Sequence, residues 1–296
     1  MKYLLMTVLL SLSIATAVLG QYRTVQASDY ALLKTENQRA LLILFPGYGG
    51  SSETIKRELD IVEKATSLGV SVLLMSFNQH LYLKPKDQEY LAQKLLEVVE
   101  ENHLKKDRVV IGGFSSGGNV SLLLSNYLIK SHHDVQPQKV FVVDAPVDLR
   151  ALYLVAEKNV ERNFSEASVQ EGRWLMNLLN AELGDPEEGI EQYERFSPYT
   201  AETNDIHNVA SLRKTQVRFY TEPDIEWWRE NRKNEPEDLN AYSIKQLADR
   251  MMAESKRANV ELITTENAGF RANGERHPHA WSIVEVDELL SWVLKQ

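Results

Sequence analysis

The stretch VVIGGFSSGGNVSLLL, residues 109–124, constrains the fold more than any other part of the sequence. An apolar β-branched run ends in glycines, two serines follow, and a second glycine pair opens a leucine-rich segment. A serine at such a strand–turn–helix corner has strained backbone angles, and the residues two places before and after it must be small. Gly113 and Gly117 meet this requirement around Ser115, whereas a phenylalanine would occupy the first small position if Ser116 were central. We therefore predict that Ser115 is an exposed nucleophile.

Apolar runs alternate with helical patterns along the chain. The runs are short and rich in Val, Ile, Leu and Phe on both faces, as in buried parallel strands. This alternation predicts an α/β fold with a doubly wound, mostly parallel sheet. Ser282 and Glu285 have the spacing of a capping box, which predicts that the last helix starts directly after Ser282. The predicted strands are residues 40–45, 70–77, 108–113, 139–145, 216–221 and 260–265, and helical periodicity is clearest over 91–99, 244–251 and 286–293.

Residues 150–203 interrupt the alternation with helical signals only. We predict that they form a helical insertion that caps the sheet. Gly184 is predicted to end one helix, and Asp185 followed by Pro186 is predicted to begin the next. No linker divides the rest of the sequence, so residues 21–296 are interpreted as one domain.

Residues 1–20, MKYLLMTVLLSLSIATAVLG, have the pattern of a secretory signal. Lys2 precedes an apolar run, and the small residues Ala17 and Gly20 predict a cleavage site near one of them. An uncleaved membrane anchor is the alternative interpretation. No later segment approaches the roughly 20 apolar residues of a membrane helix. We therefore predict a periplasmic or secreted mature protein without a membrane span.

Charge and composition exclude several classes of function. The net charge is −9, and an acidic protein repels phosphate backbones, so nucleic acid is not an expected partner. The sequence contains no cysteine, which excludes disulfides, thiolate metal sites and a thiol nucleophile. No other metal-binding cluster is evident, and no motif requires a cofactor.

The segment GFSSGG, residues 113–118, resembles the nucleophile elbow of α/β-hydrolases, in the form found in carboxylesterase-like members. The resemblance covers roughly residues 40–296, in the order Gly-rich loop, elbow, acid and histidine. It implies hydrolysis through a Ser-His-Asp triad and an acyl-enzyme intermediate. It also implies that the acid follows a later strand and that the histidine precedes the last helix.

The loop between the last strand and the last helix contains two histidines, His277 and His279. His279 is the preferred base because it lies just before Trp281 and the predicted helix, where the family histidine is usually placed. His277 lies on the other side of Pro278 and is the alternative, with a place at the rim of the site.

The acid is expected in the segment EPDI, which follows the strand at 216–221. Asp224 is preferred from the spacing seen in related enzymes, and Glu222 is the alternative. Asp144 and Asp148 follow the preceding strand and are more distant choices, with helix capping or a polar substrate contact as their other interpretation.

The oxyanion of the tetrahedral intermediate needs preorganised donors. The backbone N–H of Ser116, directly after the nucleophile, is one predicted donor. The other is expected in the loop FPGYGG, where Tyr48 is preferred and Gly49 comes second. Pro46 stands where related proteins often have histidine, but the donor is a backbone group.

The substrate is less well constrained by the sequence. Trp227 and Trp228 follow Asp224 directly, where they either line a substrate pocket or pack in the interior. The predicted function is hydrolysis of a carboxylic ester, and the substrate is a small-molecule ester or an ester of a saccharide or lipid. A serine peptidase and a non-catalytic binding protein on the same fold are the alternatives.

Overall fold

One sheet of eight strands organises the molecule. The computed structural model describes residues 22–254 and 259–295, so the predicted signal segment, residues 1–20, lies outside the described residues. The strands are β1 (Tyr22–Gln26), β2 (Tyr30–Thr35), β3 (Ala40–Phe45), β4 (Val70–Met75), β5 (Val109–Phe114), β6 (Lys139–Val143), β7 (Gln216–Thr221) and β8 (Val260–Thr264).

The strand order confirms the predicted fold class. The order across the sheet is β1-β2-β4-β3-β5-β6-β7-β8. The pairs β1–β2 and β2–β4 are antiparallel, and every other neighbouring pair is parallel. The chain runs outward in one direction from β3 to β4 and in the other direction from β5 to β8. The sheet is therefore doubly wound, and the order reverses between β3 and β5.

Helices lie on both faces of the sheet. They are α1 (Ser52–Glu58), α2 (Val62–Ser67), α3 (Pro85–Glu101), α4 (Ser116–Lys130), α5 (Leu149–Arg162), α6 (Glu166–Leu183), α7 (Glu191–Phe196), α8 (Ile225–Arg232), α9 (Asn240–Glu254) and α10 (Val286–Leu294). Short 3₁₀ helices occupy His207–Lys214, Pro236–Asp238 and Trp281–Ile283. No helix of the described part of the chain is long and apolar enough to cross a membrane.

The core has two layers because successive side chains of a strand point to opposite faces. In β3, Leu41 and Ile43 pack in the cluster that contains α3 and α4. Their neighbours Leu42 and Leu44 pack in the cluster that contains α1, α2 and α10. All of β3 is buried, which is why its sequence is apolar at every position rather than at alternate ones.

Two strands were not expected from the sequence. β2 is mostly buried but includes Lys34, and β1 is exposed along nearly its whole length, so neither has the continuous apolar pattern of the central strands. Both form an antiparallel extension at the edge of the sheet through β2–β4 pairing. β2 pairs with β4, which is distant in sequence, and β1 pairs with β2.

Two expected helix starts are wrong. Asp185 and Pro186 begin a turn, in which the Asp185 side chain accepts from the Glu187 N–H, and α7 starts only at Glu191. Gly184 does end α6, with a φ of 84°. The last helix, α10, is capped by the side chain of Glu285, which accepts from the N–H groups of the first helical turn.

Ser282, the other half of the expected capping box, has a different role. Its hydroxyl lies within hydrogen-bonding distance of the carbonyls of Ala268 and Phe270 and accepts from the Phe270 N–H, which connects two parts of one loop. The Ser-x-x-Glu pattern is therefore compatible with a capping box and also with contacts inside the loop. In the folded protein Ser282 makes the loop contacts.

Candidate active site

Ser115 occupies a sharp turn at the carboxyl end of β5. Its φ and ψ are 54° and −128°, an unfavourable conformation for a residue with a side chain. A Cβ atom on Gly113 would lie 2.2 Å from the Gly117 carbonyl oxygen, and one on Gly117 would lie 2.3 Å from the Pro46 oxygen. Only glycine fits at these two positions, as the sequence spacing indicated. The turn leaves Ser115 partly exposed, whereas the side chain of Ser116 is buried.

The loop after β3 packs directly against this turn. A Cβ atom on Gly47 would lie 3.3 Å from the Ser115 Cβ. Gly50 N–H donates to the Gly47 oxygen and closes a turn around Tyr48. The backbone N–H groups of Tyr48, Gly49 and Ser116 have no acceptor in the described part of the chain. The two predicted donors therefore lie on the segments that meet at Ser115, and both are free to bind an anionic oxygen.

His279 is hydrogen-bonded to the carboxylate of Asp144. Its Nδ1 lies 2.6 Å from Asp144 Oδ2, so Nδ1–H donates and Nε2 is left as an acceptor. The described residues provide no partner for Nε2. The imidazole stacks on the ring of Phe114, the residue before Ser115, at 4.4 Å between centroids. This places the ring over the same turn that presents Ser115, and both residues line one cleft.

Asp144 is held from several directions. It follows β6 directly, with a φ of 44°. Its Oδ1 accepts from the Thr221 hydroxyl at 3.0 Å, and its carbonyl accepts from the Asn240 side chain. The carboxylate is nearly buried, and its Oδ2 is the oxygen that remains for His279. Ser115 and Asp144 thus both have a positive φ at the ends of neighbouring strands, a feature that is often found at functional sites.

The expected contact between Asp224 and His279 is absent. Asp224 is the N-cap of α8, where it accepts from the Trp227 N–H at 3.0 Å, and its other oxygen pairs with Arg276. The prediction of Asp224 as the partner of the histidine is therefore corrected to Asp144. Asp148, the other distant choice, caps α5 instead, and burial raises the pKa of its carboxyl above the ordinary value.

Glu222, the alternative acid, also binds groups other than the histidines. Its buried carboxylate accepts from the Thr265 hydroxyl and from the N–H groups of Ala268 and Gly269, and it forms an ion pair with Arg276 at 2.6 Å. These partners come from the loop that contains both histidines. Glu222 thus fixes the loop, and its oxygens have no contact with either imidazole.

His277 lies in the interior rather than at the rim. It is 5% exposed, and its ring packs against Trp227 and Trp228, with centroids 4.8 and 5.7 Å away. Burial, together with the positive charge of Arg271, lowers the pKa of His277 to about 3. Of the two interpretations of the tryptophans, packing applies to both, since they pack against this histidine, and Trp228 also lines the cleft.

The cleft over Ser115 is lined by both apolar and polar residues. The helices of the insertion, α5 and α6, supply most of the apolar lining, and the end of α8 with the segment that follows it supplies several polar residues. Tyr48 and Trp174 are both exposed by more than a third and meet edge to face at 4.7 Å, which joins the loop after β3 to the insertion. Representative apolar lining residues are Leu152, Val155 and Leu175, and representative polar ones are Arg232, Asn234 and Glu237.

Asp144 ranked only among the more distant choices for the acid in the sequence, and Thr221 and Trp174 had no expected role there. The sequence signal for Asp144 was its position directly after a predicted strand, and Glu222 and Asp224 share that signal. Within the described residues, no group of three His, Cys, Asp or Glu side chains is arranged to hold a metal ion.

Comparison with known proteins is informative at the level of structure. No protein-family model matches the chain, and no curated protein matches it. Carboxyl esterase 2 from the mycorrhizal fungus Tuber melanosporum is similar at 14% identity and a TM-score of 0.55, over 96% of this chain and 87% of that one.

Two further solved structures have the same architecture. The esterase Pf2001 of Pyrococcus furiosus is 16% identical, with a TM-score of 0.53, over 92% of this chain and 88% of that one. The fluorophosphonate-binding serine hydrolase F of Staphylococcus aureus is 10% identical, with a TM-score of 0.51, over 93% and 98%. At these identities the similarity establishes architecture, and it agrees with the sheet order and the turn at Ser115. The chain has the α/β-hydrolase fold.

Proposed function

We propose that the protein is a serine hydrolase that cleaves carboxylic esters, with Ser115 as nucleophile, His279 as general base and Asp144 as the acid that orients it. The observation that carries the proposal is the 2.6 Å hydrogen bond between His279 Nδ1 and Asp144, beside a cleft that also contains Ser115 on its strained turn. The choice of esters is supported by the printed names of the similar structures, which include esterases from a fungus and an archaeon.

In the first step the Ser115 hydroxyl attacks the carbonyl carbon of the ester. Its proton passes to Nε2 of His279, the nitrogen that the bond to Asp144 leaves as an acceptor. Asp144 stabilises the imidazolium that results. For this transfer the two side chains approach hydrogen-bonding distance when substrate binds.

The tetrahedral intermediate carries a negative oxygen. The N–H groups of Tyr48 and Ser116 are the proposed donors, since both lack an acceptor among residues 22–254 and 259–295 and lie on the segments that meet at Ser115. Collapse of the intermediate returns the proton from His279 to the departing alcohol and leaves the acyl group on Ser115. Water, activated by His279, then hydrolyses the acyl-enzyme by the same steps.

The test uses the adjacent serines as a matched pair. Ser115→Ala should abolish labelling by a fluorophosphonate probe and lower kcat on p-nitrophenyl acetate by about 10⁶-fold, towards the uncatalysed rate. Ser116→Ala should keep most of the activity and the labelling, because only its backbone N–H is used. A labelled, active Ser115→Ala protein would overturn the proposal.

We also propose that the protein is exported and that its first residues are removed. The support is the basic residue, apolar run and small residues within residues 1–20. After expression in a bacterial host, intact-mass spectrometry should find a chain shortened near Ala17 or Gly20, in the periplasm or the medium. An intact chain in the membrane fraction would favour the uncleaved anchor.

A further inference from the structure

His277 lies two residues before the proposed base and is one of the most enclosed polar side chains near the cleft. It is 5% exposed and lines the cleft together with Ser115 and His279. The proposed mechanism uses His279 alone, so it gives this second histidine no task. Its contacts nevertheless lead directly to the base.

The Nδ1 atom of His277 accepts a hydrogen bond from the backbone N–H of His279 at 3.2 Å. The backbone N–H of His277 donates to the Gly269 oxygen, and the Gly269 N–H in turn donates to Glu222. These bonds form a continuous connection from the carboxyl end of β7, through His277, to the backbone that carries the His279 imidazole.

The ring of His277 is locked by its neighbours. Trp227 and Trp228 pack against it from α8, so the ring has little freedom to turn away from His279. Its Nε2 is buried and has no hydrogen-bond partner among the described residues. An unpaired buried donor is unfavourable. The ring of His277 nevertheless keeps this orientation, which indicates that the contacts at Nδ1 and at the ring faces determine it.

The Nδ1 contact requires a neutral ring, because a protonated imidazole has no acceptor. Burial is the main influence that disfavours a positive charge on His277, and the positive charges of Arg271, His279 and Arg232 act in the same direction. These influences outweigh the opposite effect of the backbone bond from His279. The acceptor therefore persists when His279 becomes an imidazolium during catalysis.

We propose that His277 is a positioning residue, which holds the backbone of His279 through its Nδ1 acceptor and thereby sets the position of the catalytic imidazole relative to Ser115. The inference depends on the proposed role of His279 as the base. It assigns to His277 no contact with substrate and no proton transfer.

Three substitutions separate this role from the alternatives. His277→Asn places an amide oxygen at the position of Nδ1, so it keeps the acceptor and loses the rest of the ring. His277→Gln moves the amide one bond further out, and His277→Leu has no acceptor at all. Each protein is assayed with p-nitrophenyl acetate, and kcat is expressed per site titrated by the fluorophosphonate probe, so that unfolded protein is not counted.

The expected result is that His277→Asn keeps kcat within a few-fold of wild type, while His277→Gln and His277→Leu lose about 10- to 100-fold in kcat, as a displaced catalytic group does. KM should change little in all three, because the residue does not contact substrate. The shape of the pH–rate profile should be the same in His277→Asn as in wild type, since His277 takes no part in proton transfer.

Several results would overturn the inference. Equal losses in the Asn and Gln variants would show that the ring matters for packing rather than as an acceptor. Full kcat in His277→Leu would show that the contact is dispensable. A His277→Asn protein as inactive as His279→Ala would make His277 the base. Failure of the proposed function is a separate outcome, since wild-type protein would then not react with the probe.

Discussion

The ends of β6 and β7 both present carboxylates towards the histidine loop, yet the carboxylates at the two ends have different hydrogen-bond partners. At the end of β6, Asp144 accepts from one neutral hydroxyl, that of Thr221, and its second oxygen is left for His279. At the end of β7, Glu222 and Asp224 share Arg276 and accept from backbone N–H groups. A carboxylate can orient an imidazole only if its other partners leave an oxygen available, and only the first region meets this condition.

The two regions are complementary. β6 is the immediate neighbour of β5, which carries Ser115, whereas β7 lies one strand further away. The end of β6 therefore supplies Asp144, the partner of His279. The end of β7 supplies Glu222 and Asp224, which with Arg276 fix the loop that carries His279, and we call these three residues the frame. The following predictions separate the partner from the frame.

The largest difference is expected between Asp144→Asn and Asp224→Asn. Loss of the Asp144 charge removes the stabilisation of the imidazolium and the preference for the reactive tautomer, so kcat on p-nitrophenyl acetate should fall by about 10⁴-fold. Asp224→Asn keeps a helix-capping side chain and should lose less than tenfold. If Asp224→Asn were the dead variant, the assignment of the two regions would be reversed.

Glu222→Gln should affect stability more than chemistry. Its carboxylate is 1% exposed and binds Arg276, so the neutral amide leaves charged and N–H partners poorly matched. We expect the free energy of unfolding, measured with urea, to fall by about 2–3 kcal/mol. Glu226→Gln, an exposed change on α8, is the control and should lie within about 0.5 kcal/mol of wild type. A stable Glu222→Gln protein would show that the frame does not depend on this carboxylate.

The sequence predicted the parts of this site that depend on local sterics. Gly113 and Gly117 are required by the turn itself, and the central strands are apolar because both their faces are buried. Those constraints act within a few residues or on every position of a strand. They are therefore visible in one sequence.

The acid could not be selected in the same way. Asp144, Glu222 and Asp224 all follow strands, and the choice among them depends on Thr221, Arg276 and the path of the histidine loop. These partners are distant in sequence and meet only after the sheet has formed. β2 was missed for the same reason, because it pairs with the distant β4, and β1 is exposed and pairs with β2.

His277, which lies in the same loop, should also make the free energy of unfolding depend on pH. The unfolded chain binds a proton there near the ordinary pKa of 6.5, whereas burial lowers the pKa of folded His277 to about 3. The contribution of the neutral ring is therefore fully present above pH 6.5 and is lost progressively as the pH falls towards 3, by at most about 1.4 kcal/mol per pH unit.

Urea unfolding of wild type and His277→Asn at several pH values between 4 and 7 measures this contribution. The difference in unfolding free energy between the two proteins should shrink by about 1 kcal/mol per pH unit as the solution is acidified. A difference that does not vary with pH would mean that His277 titrates normally in the folded protein.

The smallest effect is expected from a pair of hydroxyls that make the same kind of bond in the two regions. Thr221 donates to Asp144 at 3.0 Å, and Thr265 donates to Glu222 at 2.9 Å. Replacement of either by valine keeps the shape and removes one hydrogen bond, so each variant should lose about 1 kcal/mol of unfolding free energy. Only Thr221→Val should also lower kcat, by about fivefold, because its bond fixes the carboxylate that faces His279. Equal kcat values in the two variants, at equal losses of stability, would show that the orientation of Asp144 does not depend on Thr221 and that the end of β7 contributes to the site only as a frame.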